Sequence, residues 1–524
     1  MRKKKNSSYI GKFALGVVVV GIALLMTVMW ITGKKEKFVL SLSDESGNVQ
    51  DKTESERSEY AQADSDSDIA GLDLNHTNIG VLLYSSDYQS MYHESLSLES
   101  ENGVIVLSPE ILAEDFAHVQ EQCRNGGYYL EQQENCYCLK REDDGSTDRS
   151  ASEDNSEDGG NIEQCSIART MGYPVYHGCF YLYPEEEGLV IVNELPFEEY
   201  LYGVLPSEMP ASYEAEALKA QAVCARTFAC RYLEHEKYPG YHAALDDSTS
   251  CQVYMNLPEQ EETNRAVDET NGILLTYNGT LATTFYYSTS CGLSADVTTW
   301  PDYAKEDYPY LTAASLNESH AAVDFSNDPA GEQLLAYLEQ PHSDYEEALP
   351  WYRWSCTVEQ ADTELLYERM TERYRVKPET IQKYRNGVLV EEAPEKLSMV
   401  TELTIEARNA GGSATALRVT GPECTYRIHG EYNIRYLLCT NETRVIRQDS
   451  SVQTMTTILP SGFFVLQPIL YKEGNIGYSI VGGGYGHGVG LSQNGANEMA
   501  KRGMDFRQIL AYFYTGTELM RLEE

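Results

Sequence analysis

The stretch that decides the fold is YEAEALKAQAVCARTFACRYL, residues 213–233, which has the composition and the apolar spacing of one long helix. Residues 210–212, Pro-Ala-Ser, supply a stop and an N-cap just before it, and Glu214 and Glu216 suit the positive end of a helix. Small and apolar side chains recur at intervals of three and four residues, at Leu218, Ala222, Ala225 and Ala229. This narrow face predicts a helix that packs closely against a sheet.

Short β-branched and apolar runs on both sides of this helix predict the strands. The runs lie at 80–84, 103–107, 173–176 and 189–192 before the helix, and at 273–277, 282–287 and 416–420 after it, the last within a stretch of alternating strands from 402 to 470. From about 326 to 400 the chain is polar and contains QADTELLYERMTERYRV, which predicts a helical insertion. These elements together indicate an α+β protein.

An apolar run near the N-terminus, FALGVVVVGIALLMTVMWI at 13–31, contains no charge and no proline. About 20 such residues cross the core of a bilayer as a helix. A cleavable signal peptide is the alternative, but its apolar run is usually ~7–15 residues long and ends at small residues, which Thr-Gly-Lys-Lys at 32–35 does not provide. Five basic residues precede the run and three follow it closely, so the N-terminus is expected in the cytoplasm.

The chain is therefore expected to have four parts. Residues 1–33 form a cytoplasmic tip and a transmembrane anchor, and residues 34–75 form an acidic stalk with too few large apolar groups to fold. Residues 76–190 form a small β-rich region, and residues 191–524 form a mixed α/β domain with the insertion at about 326–400. In this arrangement the protein is a single-pass protein of the cell membrane whose C-terminal domain is extracytoplasmic.

Charge and cysteine content bear on the classes of partner. The chain has 40 basic and 81 acidic residues, a net charge of −41, and a nucleic-acid partner is excluded because affinity for a phosphate backbone comes from Lys and Arg. The twelve cysteines are scattered, with no CxxC pair and no cluster at zinc-finger spacing. In an exported chain, pairing of Cys136 or Cys138 with Cys123, and of Cys424 with Cys439, stays open.

The first candidate site residue is Glu208, in the segment LPFEEYLYGVLPSEMP at 195–210. A carboxylate in a partly apolar pocket has a raised pKa, which a general acid near neutral pH requires. A surface glutamate in the loop that enters the helix is the plainer alternative for this segment alone.

Two later segments add polar and glycine-rich sequence. The hydroxyls of YYSTSCG at 286–292 suit a sugar cleft, and Cys291 has no well-placed His–Asn partner motif such as a cysteine hydrolase needs. The glycines of GGGYGHGVGLSQNG at 482–495 permit close approach of the backbone to a ligand. Here His487 is as compatible with a structural role as with a chemical one, and the dinucleotide fingerprint G-x-G-x-x-G is absent as a strand-to-helix turn.

Five motifs occur together in one order along the chain. They are PxEEYLxGVxxSEMP at 196–210, ALKAQAVxARTxA at 217–229, CQVY at 251–254, STSxG at 288–292 and GHGVGxSQxGA…IL…YxGT at 486–517. This set resembles the stage II sporulation protein D (SpoIID)/LytB amidase-enhancer family over about residues 190–524, interrupted by the insertion. The resemblance implies a mixed α/β catalytic domain, cleavage of peptidoglycan glycan strands, and Glu208 as the catalytic acid/base.

A single carboxylate fits a lytic transglycosylase, because hydrolytic glycosidases generally use two. The C6 hydroxyl of muramic acid attacks internally to give a 1,6-anhydro product, so one glutamate protonates the leaving oxygen and then accepts the hydroxyl proton; the held neighbour reacts at a high effective concentration. No cofactor is expected. Six further residues within the matched segments are assigned substrate-positioning or cleft-shaping roles: Arg226, Gln252, Ser288, Ser290, His487 and Gln493.

The resemblance also implies partners and a competing function. It implies glycan strands without stem peptides as the substrate and, if the organism sporulates, wall remodelling during engulfment beside an amidase like stage II sporulation protein P and a membrane protein like stage II sporulation protein M. The competing function is that of a non-catalytic, wall-binding enhancer of an N-acetylmuramoyl-L-alanine amidase. A scaffold that tethers other wall hydrolases is a third possibility.

One departure from the family concerns metal. Some members carry a Cys/His zinc cluster that runs into the CQVY motif, whereas this chain has DDSTSC at 246–251. Only His242 and Cys251 are soft ligands there, and two ligands do not complete a tetrahedral site. No metal is therefore expected.

Overall fold

The computed structural model describes residues 73–522, with gaps at 87, 143–160, 164, 359–361 and 471–475. Within these residues several sheets are mixed with helices, which confirms the α+β prediction. None of the helices described is both long and apolar enough to cross a membrane. The anchor predicted at 13–31 and the stalk up to residue 72 lie outside the described residues and stay predictions.

The elements of the first half, in chain order, are β1 (Asn78–Leu83), β2 (Leu96–Ser100), β3 (Gly103–Leu107), α1 (Pro109–Glu114), α2 (Phe116–Asn125), β4 (Tyr128–Gln132), β5 (Tyr137–Arg141), β6 (Cys179–Pro184), β7 (Leu189–Pro196), α3 (Phe197–Glu208), α4 (Ala215–Cys230), β8 (Leu245–Asp246), α5 (Glu261–Glu269), β9 (Ile273–Tyr277), β10 (Thr280–Leu281) and β11 (Tyr286–Tyr287). Those of the second half are α6 (Glu332–Glu339), β12 (Trp354–Val358), α7 (Thr363–Val376), β13 (Ile381–Arg385), β14 (Val388–Val390), β15 (Glu402–Arg408), β16 (Ala414–Thr420), β17 (Thr425–His429), α8 (Glu431–Leu438), β18 (Thr443–Arg447), β19 (Val452–Met455), β20 (Phe464–Leu470), β21 (Ile476–Gly482), β22 (Leu491–Ser492), α9 (Gln493–Lys501), α10 (Phe506–Phe513) and β23 (Glu518–Arg521).

A six-stranded sheet in the order β4-β5-β6-β7-β1-β8 shares one hydrophobic core with the helices that follow it. All its neighbours are antiparallel except β1 and β8, which run parallel. Helix α4 lies among α3, α5, α9 and α10 and contacts β9, which pairs with β10 and β23. The strand β8 thus joins the sheet of the N-terminal region to the part of the chain that carries the motifs.

Helix α4 is shorter than predicted and more completely buried. It begins at Ala215 with Glu214 as N-cap, and Ser212 does not cap it, because residues 210–213 form a turn in which the Tyr213 N–H donates to the carbonyl of Pro210 at 2.9 Å. From Ala217 to Cys230 all residues but one are buried, not only the predicted stripe. Small side chains allow neighbours to approach on every face of the helix.

A second hydrophobic core, built from residues between 351 and 480, lies between two five-stranded sheets. The sheets have the orders β19-β18-β12-β21-β20 and β14-β13-β17-β16-β15, and α7 and α8 pack beside them. The predicted helix in the polar stretch is α7, but the same stretch also supplies β12, β13 and β14. Since β12 and β13 pair with strands beyond residue 400, this part of the structure is larger than the stretch from 326 to 400.

Three local predictions differ from the structure. The plainer alternative for the segment 195–210 placed Glu208 in a loop that enters the helix, whereas most of this segment is helix α3. Residues 173–176 form no strand and make one bridge, between Tyr176 and Ile162, because Pro174 lacks the N–H that a ladder needs. In the run 282–287 the strand comprises Tyr286–Tyr287 alone.

All twelve cysteines are free thiols, so neither of the considered disulfides is formed.

Candidate active site

Glu208 is the last residue of helix α3, and the chain leaves the helix immediately after it. Met209 has extended backbone angles, φ −136° and ψ 131°, because the proline at 210 disfavours a helical conformation in the residue before it. Ser207 and Met209 are buried, whereas Glu208 keeps part of its surface exposed. Glu208 therefore lies at the edge of the core.

Three donors hold the Glu208 carboxyl group. The backbone N–H of Val253 donates to its Oε1 at 2.7 Å, and the side chains of Tyr286 and Gln493 each form a further hydrogen bond. Burial raises the pKa of Glu208 to about 7, against the effect of these donors, which stabilise the ionised form. A carboxyl group with a pKa near neutrality can both give and accept a proton at neutral pH.

A chain of hydrogen bonds fixes the direction of the Tyr286 hydroxyl proton. The Tyr200 hydroxyl donates to Oε1 of Gln252 at 3.1 Å. The Gln252 Nε2 donates to the carbonyl of Ala225 at 3.3 Å and to the Tyr286 hydroxyl oxygen at 3.1 Å. Because that oxygen already accepts, the Tyr286 hydroxyl donates its own proton to Glu208. Gln252 therefore acts on Glu208 through Tyr286.

His487 stabilises β11, the strand that contains Tyr286. Its Nδ1 accepts from the backbone N–H of Val489 at 3.1 Å, so the ring proton is on Nε2, which donates to the carbonyl of Tyr286 at 2.9 Å. The ring also lies 5.1 Å from that of Trp300, centroid to centroid. With both nitrogens engaged, His487 shapes the cleft and positions Tyr286.

The two predicted serines have different surroundings. Ser288 is half-buried, and its carbonyl accepts from the backbone and the side chain of Asn494 at 3.0 and 3.1 Å. Ser290 is buried and its hydroxyl donates to Glu346, a residue that the sequence did not indicate. Ser288 therefore lies at the accessible side of this loop and Ser290 at its interior side.

Arg226 belongs to the core and leaves no surface for a sugar. Its side chain is 0% exposed, and its Nε and Nη2 donate to the two carboxylate oxygens of Glu198 at 2.7 and 2.8 Å. The same guanidinium donates to the carbonyl of Val267 at 3.1 Å. This arrangement ties α4 to α3 and α5 and corresponds to the structural role of a paired buried arginine.

Two adjacent aspartates anchor the loop that leads to Val253. The buried carboxylate of Asp246 accepts from Nζ of Lys237 at 2.8 Å, and this cation holds the pKa of Asp246 below its usual range although burial opposes it. Asp247 is ion-paired with Arg169 of the N-terminal region and accepts from the backbone N–H of Tyr84 at 3.0 Å. Burial nevertheless raises the pKa of Asp247 to about 6. The position of the Val253 N–H thus depends on both anchors.

The same loop is where the family's zinc cluster would lie. Ser250 donates to Asp246 and the Cys251 Sγ lies 3.3 Å from the same carboxylate, while the side chain of His242 is 79% exposed. Across residues 73–522, as far as they are described, no group of three or more His, Cys, Asp or Glu side chains is placed to hold a metal ion.

The structure thus gathers some of the predicted site residues and separates others. Gln493 contacts Glu208, Gln252 and His487 support its donor Tyr286, and Ser288 lies on the same loop. Arg226 and Ser290 bind Glu198 and Glu346 instead. Sequence reasoning missed the donor Tyr286, although it lies in the second candidate segment, and it missed Glu346, which belongs to no motif.

Comparison with known proteins agrees with the motif-based resemblance and thereby confirms it. Residues 185–277 match the family model described as stage II sporulation protein, and residues 299–490 match a domain of unknown function (DUF8618). The chain is 29% identical to the amidase enhancer of Bacillus subtilis over 61% of its own length, and that alignment spans 40% of the enhancer. It is 26% identical to stage II sporulation protein D of the same bacterium, over 63% of this chain and 75% of that protein. An uncharacterized protein of Brachyspira hyodysenteriae is 26% identical over 66% of this chain and 72% of its own length.

Proposed function

Because this chain carries a stage II sporulation protein domain, we propose that it is a peptidoglycan lytic transglycosylase with Glu208 as its acid/base. The observation that carries the proposal is the state of one carboxyl group. Glu208 is partly exposed, receives three hydrogen bonds and has its pKa raised to about 7 by burial. Such a group is protonated in an appreciable fraction of molecules at neutral pH and is ready to act as an acid.

In the proposed reaction Glu208 gives its proton to the oxygen of the glycosidic bond that breaks. The C6 hydroxyl of the muramic acid residue then forms the new bond to C1, and its proton passes to the Glu208 carboxylate. The donors Val253 N–H, Tyr286 and Gln493 stabilise the carboxylate in the interval. Atoms balance without water, and the acid is regenerated.

A two-carboxylate hydrolysis has less support in this geometry. Glu346, the other carboxyl group bound to the same loops, is 1% exposed and its oxygens are occupied by two serines. A base for hydrolysis has to contact a water molecule beside the sugar. The buried position of Glu346 favours the intramolecular mechanism, which needs Glu208 alone.

The competing candidate is a non-catalytic amidase enhancer, supported by the name of one relative. Mass spectrometry of the products from purified glycan strands separates the candidates. Products ending in 1,6-anhydromuramic acid would support the transglycosylase, reducing muramic acid ends would indicate a hydrolase, and intact strands with stimulation of an added amidase would support the enhancer.

Localisation and partners extend the proposal. The apolar run at 13–31 would tether the domain at the outer face of the cell membrane, beside the wall. Glycan strands already stripped of stem peptides are the proposed substrate, with an amidase such as a stage II sporulation protein P acting first and a stage II sporulation protein M-like protein as membrane partner. Faster cleavage of amidase-treated than of intact peptidoglycan is expected, and equal rates would remove the amidase from the scheme.

A further inference from the structure

Glu346 is a buried carboxyl group in the segment that matches the domain of unknown function. It lies after helix α6, outside every motif of the sequence, and its side chain is 1% exposed. Its oxygens bind two separate segments of the chain, one at Ser290 and the other at Ser492. Oε1 accepts from the backbone N–H of Ser290 at 3.0 Å and from the hydroxyl of Ser492 at 2.9 Å, and Oε2 accepts from the hydroxyl of Ser290.

The two segments that Glu346 binds are the two that supply side-chain donors to Glu208. Ser290 follows the strand β11 that contains Tyr286, and Ser492 immediately precedes Gln493. The strands β11 and β22 pair in parallel over two residues each, with Tyr286 opposite Leu491. The two segments are also joined directly, because the Leu491 N–H donates to the carbonyl of Phe285 at 3.0 Å and Asn494 donates to Ser288 and Thr289. Glu346 adds three further bonds to this connection from the interior side.

From this juxtaposition we propose that Glu346 is a positioning residue. It links the segments that contain Ser290 and Ser492 by hydrogen bonds and thereby positions the side chains of Tyr286 and Gln493 to donate to Glu208. The inference rests on the proposed function for its biological meaning, but the geometry concerns Glu208 itself. It also gives the domain of unknown function a task, which is to complete the catalytic site from the interior side.

The proposed role depends on hydrogen bonding and not on charge. Among the described residues no Lys or Arg forms an ion pair with Glu346, and its hydrogen-bond partners are the two serines. In Glu346→Gln the amide oxygen still accepts from the Ser290 N–H and the Ser492 hydroxyl, and the amide nitrogen meets the Ser290 hydroxyl. In Glu346→Ala all three bonds are lost.

The titration of Glu208 in the full-length protein in mild detergent tests the proposal without requiring catalysis. A water-soluble carbodiimide with an amine labels protonated carboxyl groups, and peptide mass spectrometry gives the labelling midpoint of Glu208. In Glu346→Ala the midpoint is expected to rise by about one pH unit, because the carboxylate loses two side-chain donors while Val253 stays in place. Glu346→Gln should retain the wild-type midpoint.

Two controls isolate the connection. Glu431→Gln alters another buried carboxyl group of the second core, which is paired with Arg435, and should leave the Glu208 midpoint unchanged. If Glu346 acts through Gln493, Glu346→Ala should shift the Glu208 midpoint less in a Gln493→Met protein than in the wild type. The two changes then remove the same interaction. Should Glu346→Ala fail to fold, Ser290→Ala, which removes one of the three bonds, is expected to give a smaller shift of the same sign.

An unchanged or lowered Glu208 midpoint in folded Glu346→Ala would overturn the proposal, and so would a Glu346→Gln protein that behaves like Glu346→Ala. Both results stand apart from the product assay. Intact glycan strands with wild-type protein would refute the transglycosylase function, while the labelling experiment would still decide whether Glu346 positions the donors.

Discussion

The Tyr286 hydroxyl donates to Glu208, and its oxygen accepts from Gln252 at 3.1 Å. Tyr286 therefore links the position of the Glu208 carboxyl group to that of the Gln252 side chain. Tyr200 and the carbonyl of Ala225 orient Gln252. The Glu208 carboxyl group is thus held by residues on three different segments of the chain.

Replacing Tyr286 by phenylalanine should weaken the site without dismantling it. The ring is retained, but the carboxylate loses one donor, so the pKa of Glu208 rises further above its ordinary value. A hydrogen bond to a charged group contributes about 1.5–3 kcal/mol, which predicts a loss of at least roughly tenfold in kcat. The pH–rate profile of the variant should move to higher pH; a profile identical to that of the wild type would exclude the donor role.

Glu208→Gln should abolish glycan cleavage and leave the fold intact. General acid–base catalysis contributes about 10²–10⁴-fold, and the amide can neither give nor accept the proton that the reaction requires. The measurement is the yield of 1,6-anhydromuramic ends, with the melting temperature as the control for folding. Undiminished product from the variant would refute the assignment of Glu208.

The pH dependence of cleavage follows from the raised pKa of Glu208. A carboxyl group whose pKa is about 7 is protonated below that pH and ionised above it, so kcat/KM should be retained on the acid side and fall as pH rises through about 7. An unperturbed glutamate would lose activity near pH 4.3 instead. A profile flat from pH 6 to 9, measured on purified strands, would contradict a role for Glu208 as the acid.

Glu346 should make the stability of the protein depend on pH. Burial raises the pKa of Glu346 from its usual 4.5 to about 7 in the folded state, so the stability contributed by the extra bound proton is fully present below about pH 4.5. This contribution is lost as pH rises through about 7 and amounts to roughly 3 kcal/mol at most. Wild type should therefore lose stability relative to Glu346→Gln between these pH values in denaturant unfolding. A constant difference would show that Glu346 titrates normally.

We predict that Lys237, and not a metal ion, is the stabilising cation of the loop before Val253. Lys237→Met leaves Asp246 buried without its partner and should cost about 3–5 kcal/mol of unfolding free energy. The matched change Lys396→Met breaks an exposed pair with Glu364 and should cost less than about 1 kcal/mol. EDTA should not lower the melting temperature of the wild type. Stoichiometric zinc by elemental analysis, together with destabilisation by EDTA, would show that the loop holds a metal.

The sequence was informative where one segment determines its own structure. The spacing of apolar residues predicted α4, because apolar side chains at intervals of three and four residues indicate a helix whatever it packs against. Helix α3 was missed, since it contains Gly203 and Pro206, which disfavour helix in isolation. In the fold Gly203 is required, because a Cβ there would lie 2.5 Å from the ring of Tyr254.

The candidate site was predictable at Glu208 and only in part around it. The motifs contained Gln252, His487 and Gln493, whose contacts surround Glu208 and Tyr286. Glu346 joins residues 56 and 146 positions away along the chain, so no local pattern marks it. Arg226 was placed among the substrate-positioning residues because it lies in a motif, whereas its partner Glu198 makes it part of the core.

The pairing of β8 with β1, and of Asp247 with Arg169, has a consequence for any attempt to isolate the matched domain. A fragment that begins at residue 185, where the family match starts, lacks both β1 and Arg169. It would expose one edge of β8 and bury the charge of Asp247 unpaired, next to the loop that presents the Val253 N–H to Glu208. We therefore expect a fragment that begins before residue 78 to be more stable than one that begins at residue 185.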